Sequence, residues 1–233
     1  MTRDAIDDTL RRINLFRWMT GLEPVTHDAS LHSRQQACAV LMDANGMLSH
    51  SPPSSWSCWT EDGAEGAGAS NIALGYSTSA ASIDGYIADR GVDSLGHRRW
   101  VLNGPLSRVS MGFVGRGGCL GVFDRSGTVT RSWTSWPSPG PVPLEIFQSG
   151  RTLEWWSVHS NDFNFSNATV QITDETGASL AIDQRVPAAG YGAHAIAFRP
   201  RGWSPTEGAI YRVRVTGAGP NTIDYTIQPA RCP

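Results

Sequence analysis

The sequence contains no lysine: all 19 cationic residues in its 233 positions are arginine. Schiff-base enzymes and Walker-type phosphate loops both need a lysine, so both classes are excluded. The formal net charge is -2, and no basic cluster is longer than two arginines in a row. The basic surface of a nucleic-acid binder is therefore missing, and we expect no nucleic-acid partner.

Long apolar runs are missing as well. No stretch approaches the roughly 20 apolar residues that a transmembrane helix needs, so the sequence predicts no transmembrane segment. The first residues, Met-Thr-Arg-Asp, do not resemble the apolar core of a signal peptide. If the protein is exported, we expect its signal peptide to have been removed from this sequence. With 40% hydrophobic and 17% charged residues, the chain is expected to fold as a globular protein.

Cysteine is sparse and dispersed. The four cysteines are Cys38, Cys58, Cys119 and Cys232, and no two of them form a CxxC pair. This excludes a zinc knuckle and a thioredoxin-like site. An even number of scattered cysteines favours disulfides in an oxidising compartment. All three full pairings stay open, as does the alternative of reduced, buried thiols.

Helical periodicity dominates the first half of the chain. It predicts helices over 4–21, 28–45 and 79–89, with a further helical turn around residues 97–101. Residues 49–68 are rich in Pro, Ser and Gly and predict a long surface loop. Strands are predicted at 109–114, 119–123 and 129–133, so helices precede an antiparallel sheet.

A proline-rich segment divides the chain. The run Trp-Pro-Ser-Pro-Gly-Pro at 136–141 predicts a first domain over 1–136, a linker over 137–141 and a second domain over 142–233. The second part holds six or seven short β-prone runs, among them 152–158 and 211–216. Their number and spacing predict an all-β sandwich of immunoglobulin-like type.

Two histidines and one carboxylate could carry chemistry: His50, Asp89 and His97. Such a set can hold zinc with one position left open for water. Surface histidines, or core histidines with satisfied hydrogen bonds, are the alternative interpretation. Arg98 and Arg99 could clamp an anion, although pairing with Asp89 or Asp93 is the simpler expectation.

Three segments together resemble the CAP superfamily of cysteine-rich secretory, antigen 5 and pathogenesis-related proteins. They are Leu-Ser-His-Ser-Pro at 48–52, Ser-Asn-Ile-Ala at 70–73, and Gly-His-Arg-Arg-Trp-Val-Leu-Asn at 96–103. The last is similar to the version in bacterial SCP-like members. The resemblance implies a CAP-type α/β/α sandwich for the first domain. Together with the β-sandwich predicted from the strand pattern of the second part, this gives an α+β chain.

The resemblance also implies a cleft lined by two histidines and two acidic residues. Its residues here would be His50, Ser70, Asn71, Asp89 and His97. Ser70 stands where the family has Glu, so one charge that would balance a divalent cation is absent. Glu65, or failing that Glu61, could replace it, which gives His50, His97, Asp89 and Glu65 as candidate ligands of a metal such as zinc.

Three functions follow as expectations. The first is a secreted, extracellular and non-catalytic CAP protein that binds a small or lipid-like ligand, or a divalent metal, in the cleft. The second is a metal-dependent, protease-like hydrolase that uses His50, His97 and Asp89. The third is an adhesion protein whose β-sandwich binds an extracellular protein partner.

Overall fold

A computed structural model describes residues 1–147 and 154–231. Cys232 and the start of the predicted strand 152–158 lie outside the described residues. The chain divides into two compact units. Unit 1 comprises Met1–Trp18, Leu22–Ile87 and Trp100–Thr130, and unit 2 comprises Met19–Gly21, Ala88–Arg99 and the described residues from Arg131 on. The predicted boundary at 137–141 stays a prediction.

The chain as far as residue 121 alternates helices with short strands. In order these are α1 (Arg3–Met19), β1 (Thr26–His27), α2 (His32–Asn45), α3 (Glu61–Gly68), β2 (Ser70–Leu74), α4 (Ser79–Ala88), α5 (Gly96–Val101), β3 (Arg108–Val114) and β4 (Gly117–Gly121). A 3-10 turn, Ala29–Leu31, precedes α2. Asp28 caps this turn by accepting a hydrogen bond from Ser30 N, and Gly46 ends α2 in the left-handed conformation.

Unit 1 contains one four-stranded sheet in the order β1-β3-β4-β2. The β1–β3 pair is parallel, and the other pairs are antiparallel. Helix α2 packs on this sheet and is tied to it by a disulfide between Cys38 in α2 and Cys119 in β4. Cys58 is exposed and forms no disulfide with the residues that are described. The α+β class predicted from the sequence is thus confirmed.

Glycine allows α2 to lie very close to its neighbours. A Cβ added at Gly112 of β3 would meet Gln35 O of α2 at 2.1 Å, and one at Gly66 of α3 would meet Arg34 O at 2.7 Å. Real Cβ atoms do not approach a carbonyl oxygen that closely. Backbone therefore packs directly against backbone on both sides of α2.

The glycine-rich segment predicted as loop contains a helix. Glu61–Gly68 forms α3, and Thr60 caps it by accepting a hydrogen bond from Gly63 N at 3.0 Å. Glu61 and Asp62 in the first turn also favour a helix start. The prediction failed because glycine usually breaks helices, whereas here its small size is what allows α3 to pack on α2.

Unit 2 is built mainly of strands. These are β5 (Thr134–Trp136), β6 (Gly140–Pro143), β7 (Trp156–Ser160), β8 (Thr169–Thr173), β9 (Ile182–Arg185), β10 (His194–Pro200), β11 (Tyr211–Thr216) and β12 (Ile223–Ala230). They form two four-stranded sheets, with the orders β5-β7-β10-β9 and β6-β12-β11-β8. The predicted strand 129–133 is wrong, because the strand there begins only at Thr134.

Aromatic rings fill the core of unit 2. Trp203 lies between rings from both sheets, with its centroid 5.4 Å from Trp156 of β7 and 5.1 Å from Tyr211 of β11. Phe147 contacts Trp156 and Trp203, and Phe198 of β10 contacts Trp156. Alternation in β11 buries Tyr211, Val213 and Val215 and exposes the residues between them. This is the pattern of a strand with one face on a core.

Among the helices of the described residues, none is both long and apolar enough to cross a membrane.

Candidate functional site

Asp89 and His97 form a close pair in unit 2. Helix α4 ends at Ala88, and Asp89 follows with φ at 49°, so the chain turns sharply there. Asp89 Oδ1 lies 2.8 Å from His97 Nδ1, and Asp89 Oδ2 accepts a hydrogen bond from Arg98 N at 3.1 Å. The carboxyl group is fully buried, whereas the His97 side chain keeps 25% of its surface exposed. A buried carboxylate on Nδ1 fixes both the ring orientation and the tautomer of a histidine.

The neighbouring arginines are buried and bind the main chain. Arg98 donates to Trp155 O at 2.7 Å, Ala88 O at 2.9 Å and Ser157 Oγ at 2.9 Å. Arg99 donates to Ala193 O, Ala188 O and Ser94 O at 2.7–3.0 Å.

Desolvation lowers the pKa of both guanidinium groups to about 10, against the opposing effect of Asp89, so both stay charged at neutral pH. The expected partners were the carboxylates of Asp89 and Asp93. The guanidinium groups donate instead to carbonyl oxygens and to Ser157 Oγ, and Asp89 accepts a hydrogen bond from the backbone N–H of Arg98. Both side chains hold segments of unit 2 together.

A buried polar chain continues from Arg98. Ser157 Oγ accepts from Arg98 and lies 2.9 Å from His159 Nε2, so its own proton can be donated to that nitrogen. His159 is fully buried. Desolvation first, and then the charges of Arg98 and Arg99, hold the pKa of His159 well below its ordinary value. Sequence reasoning missed this group, because alternation in a short strand does not indicate that a histidine faces inward.

His50 and Glu65 lie in unit 1, each with a partner there. His50 is exposed, and its Nδ1 is 2.8 Å from Ala67 O, near the end of α3. Glu65 Oε2 lies 2.8 Å from a guanidinium nitrogen of Arg34 on α2. This carboxylate, predicted to replace the missing cleft acid, thus forms a partly exposed ion pair across two helices.

Ser70 has an internal role. Its Oγ lies 2.6 Å from Gly66 O and 2.5 Å from Gln35 Oε1, and both side chains are buried. The Ser70 hydroxyl has one proton, so it can donate to only one of these oxygens. If it donates to Gly66 O, the Gln35 amide can turn its NH₂ group toward Ser70 Oγ and donate to it. The neutral pair links β2 to α2 where the family would have a charged residue.

Asn71 follows in β2 and is buried. Its carbonyl oxygen accepts a hydrogen bond from the Tyr86 hydroxyl of α4 at 2.9 Å. Complete burial raises the pKa of Tyr86. The contact anchors α4 directly ahead of the turn at Asp89.

The predicted residues divide between the two units. In unit 2, Asp89 and His97 are in contact, and in unit 1, Ser70 and Asn71 are neighbours in β2. Within the residues that the structure describes, no group of three or more His, Cys, Asp or Glu side chains is placed to hold a metal ion. The shared cleft and its metal stay predictions.

Comparison with protein families identifies the first part of the chain. Residues 10–123 match the CAP family, described as the cysteine-rich secretory protein family. These residues are a CAP domain. The match includes α2, the sheet of unit 1 and all three motifs from which the resemblance was drawn, so that resemblance is confirmed.

A solved structure with similarity to this chain is the 1.5 Å crystal structure of an extracellular protein containing an SCP domain from Bacillus anthracis str. Ames. The two sequences are 19% identical, and the TM-score is 0.39. The match covers 52% of this chain and 43% of that protein, which is therefore matched over less than half its length. Among curated proteins, none matches this chain.

Proposed function

We propose that this is a secreted, extracellular and non-catalytic CAP protein that binds a small amphipathic, lipid-like ligand. The observation that carries the proposal is a groove of about 450 Å³ in unit 1, between α1 and α4. This volume lies in the usual range of ligand pockets, roughly 300–1,000 Å³.

The groove has an apolar and a charged part. Ala5 and Leu15 of α1 line it together with Ala80 and Ala81 of α4. At its polar part Arg12 forms two hydrogen bonds with Asp84, at 2.5 and 2.8 Å, which join the two helices. An amphipathic ligand fits this arrangement, because the alanines leave room for hydrocarbon and the paired Arg12 and Asp84 offer hydrogen bonds to a polar head group.

The state of the predicted cleft residues supports a non-catalytic function. Ser70 contributes no charge, and the carboxylate of Glu65 is bound to Arg34. The donor set is therefore poorer than the one the family implies for a divalent cation, and we derive no catalytic step through a metal. Binding of a ligand or metal in a cleft of His50, Ser70, Asn71, Asp89 and His97 remains a separate expectation.

Export is supported by the disulfide. Cys38 and Cys119 are paired, and such bonds persist mainly in oxidising compartments.

A thermal-shift titration with a long-chain fatty acid and with a lysophospholipid tests ligand binding. A ligand that binds only the folded protein at 100 times its Kd adds about 2.7 kcal/mol of stability, so the melting temperature must rise. Ala81→Leu should fill the groove and abolish the rise, whereas Ala44→Leu, on the exposed side of α2, should leave it unchanged. No shift with either probe, or an equal shift in Ala81→Leu, overturns the proposal.

A metal-dependent hydrolase is the second candidate, and the Asp89–His97 pair favours it. With Nδ1 bound to Asp89, His97 would have to bind a metal through Nε2, so Asp89 would orient His97 rather than bind the ion itself. Zinc analysis of protein purified without chelator tests this, since His97→Ala and His50→Ala should both lose the metal.

We also propose that unit 2 is immunoglobulin-like. Named A, A′, B, C, D, E, F and G in chain order, strands β5 to β12 form sheets A-B-E-D and A′-G-F-C. An immunoglobulin constant-type domain has the sheets ABED and CFG. Strand β6 pairs in parallel with β12, and its Pro141 and Pro143 lie at a sheet edge, where a missing N–H is tolerated. Adhesion through this unit stays a prediction.

A further inference from the structure

Two histidines outside the predicted cleft face each other in unit 1. His27 ends β1, and His32 begins α2. Their ring centroids are 5.7 Å apart, and the ring planes are nearly perpendicular, at 84°. The 3-10 turn between them, capped by Asp28, folds the chain back so that two residues five positions apart come into contact.

Each ring has a buried nitrogen without a hydrogen-bond partner among the described residues. These atoms are His27 Nε2 and His32 Nδ1. A buried polar atom left unpaired costs about 1–3 kcal/mol, so proteins rarely retain one without a reason. Two such atoms on neighbouring rings indicate a missing partner, and a bound ion or water is the usual explanation.

The surrounding structure holds both rings in place. Asn14 of α1 bonds the backbone N and O of Val25 at 2.8 and 3.0 Å, and His27 pairs with Val109 in the sheet. The α2 helix that carries His32 is fixed to the same sheet by the Cys38 disulfide. The two rings therefore need little reorganisation to act together.

The nearest carboxylate in sequence has partners of its own. Asp28 Oδ1 accepts a hydrogen bond from Ser30 N, and Asp28 Oδ2 lies 3.5 Å from Arg108. The two imidazoles are therefore the protein ligands on which the site depends, and imidazole suits copper and zinc.

The geometry points to a transition-metal site in which His27 Nε2 and His32 Nδ1 bind one divalent ion such as Cu²⁺ or Zn²⁺. A metal–nitrogen bond of about 2.0–2.1 Å places the ring centres of two tetrahedral ligands roughly 5 Å apart. The observed 5.7 Å is close to this value. Water completes the coordination. Imidazole ligands favour Cu²⁺ over Zn²⁺ in the usual affinity order.

The test is a titration of the full chain, free of any histidine tag and stripped of metal, with Cu²⁺ alone. Isothermal titration calorimetry should show one Cu²⁺ bound per chain at this site. Pulsed EPR should show two imidazole nitrogens coupled to that Cu²⁺. His27→Gln and His32→Asn should each weaken the site at least about tenfold, since even the loss of an outer-shell partner costs 10–100-fold. Each variant should also leave one imidazole signal.

The controls separate this site from the predicted cleft. The double variant His50→Ala/His97→Ala should keep the two-imidazole signal, and so should His194→Gln, which alters an exposed histidine of β10. If Cu²⁺ binds without two-imidazole coupling in the wild-type chain, the proposal fails. It fails equally if the two-imidazole signal survives in His27→Gln, or if that signal disappears in His50→Ala/His97→Ala.

Discussion

Asp89 uses both of its carboxylate oxygens at once: Oδ1 is 2.8 Å from His97 Nδ1, and Oδ2 accepts from Arg98 N. Both contacts place a nitrogen of a neighbouring residue against residue 89, and a carboxylate can accept a hydrogen bond through each of its two oxygens.

Asp89→Asn is therefore expected to reverse the tautomer of His97. The backbone N–H of Arg98 needs the amide oxygen, which turns the amide NH₂ toward His97 Nδ1 and leaves that nitrogen unprotonated. The lost charge-assisted bonds should lower the free energy of unfolding by about 1–3 kcal/mol. The ¹⁵N shifts of the His97 ring report the tautomer.

Asp93→Asn is the matched control, since the Asp93 side chain is fully exposed. It should leave the His97 spectrum unchanged. An Asp89→Asn protein that keeps its proton on Nδ1 would contradict the proposed orientation.

Acid should destabilise the protein through His159. Its pKa in the folded state lies well below the ordinary value of 6.5, which applies to the unfolded chain. Below about pH 6.5 the unfolded state therefore binds a proton that the folded state does not, and stability falls as pH decreases. The loss approaches about 1.4 kcal/mol per pH unit for one group. Urea unfolding at pH 7.5, 6.5 and 5.5 should show this slope.

In His159→Gln the dependence of the unfolding free energy on pH should decrease by the amount that corresponds to nearly one proton. In His194→Gln it should remain as in the wild type. An identical pH dependence in the wild type and His159→Gln would show that other groups cause it.

Two glycines of α3 should respond oppositely to alanine. At Gly66 a Cβ would meet Arg34 O at 2.7 Å, so Gly66→Ala must push α3 away from α2 and should cost about 1–3 kcal/mol. At Gly68 the nearest atom, His50 O, is 3.5 Å away, which is ordinary contact. Gly68→Ala should be neutral or stabilise the protein by up to about 1 kcal/mol, because alanine favours helix. Chemical denaturation of both variants decides this.

Removing the disulfide should be costly. Cys38 and Cys119 are 81 residues apart, and closing a loop of that length lowers the entropy of the unfolded chain by an amount worth about 4.5 kcal/mol. The double variant Cys38→Ser/Cys119→Ser should lose a stability of this order in urea unfolding. Cys58→Ser, at an exposed position, should lose far less. Comparable losses of stability in Cys38→Ser/Cys119→Ser and in Cys58→Ser would contradict the view that the Cys38–Cys119 disulfide stabilises the protein.

Local signals in the sequence predicted much of unit 1. The apolar spacing that predicted helices over 4–21 and 79–89 is a short-range feature, and the structure has both helices, as α1 and α4. Helix α3 was missed because its glycines are explained only by the backbone of α2, which a local pattern does not contain. The same holds for the cysteine pairing, since spacing alone does not specify which residues of a sheet and a helix meet.

The site was predicted unevenly for a related reason. Motif resemblance singled out His97 and Asp89, and eight-residue spacing across a turn does place them together. It could not show that Ser70 contacts Gln35 of α2, or that Arg98 and Arg99 are buried. Those contacts depend on residues far away in the chain, such as Trp155 and Ala193.

The acceptors of Arg98 and Arg99 also limit how such a gene can be rearranged. Both guanidinium groups belong to segment 88–99, yet their carbonyl partners at 155, 188 and 193 are encoded beyond the proline-rich stretch 137–141. A recombination event in that stretch would separate the two arginines from their carbonyl acceptors. We therefore expect the residues before and after 137–141 to be inherited together, in spite of the linker-like sequence between them.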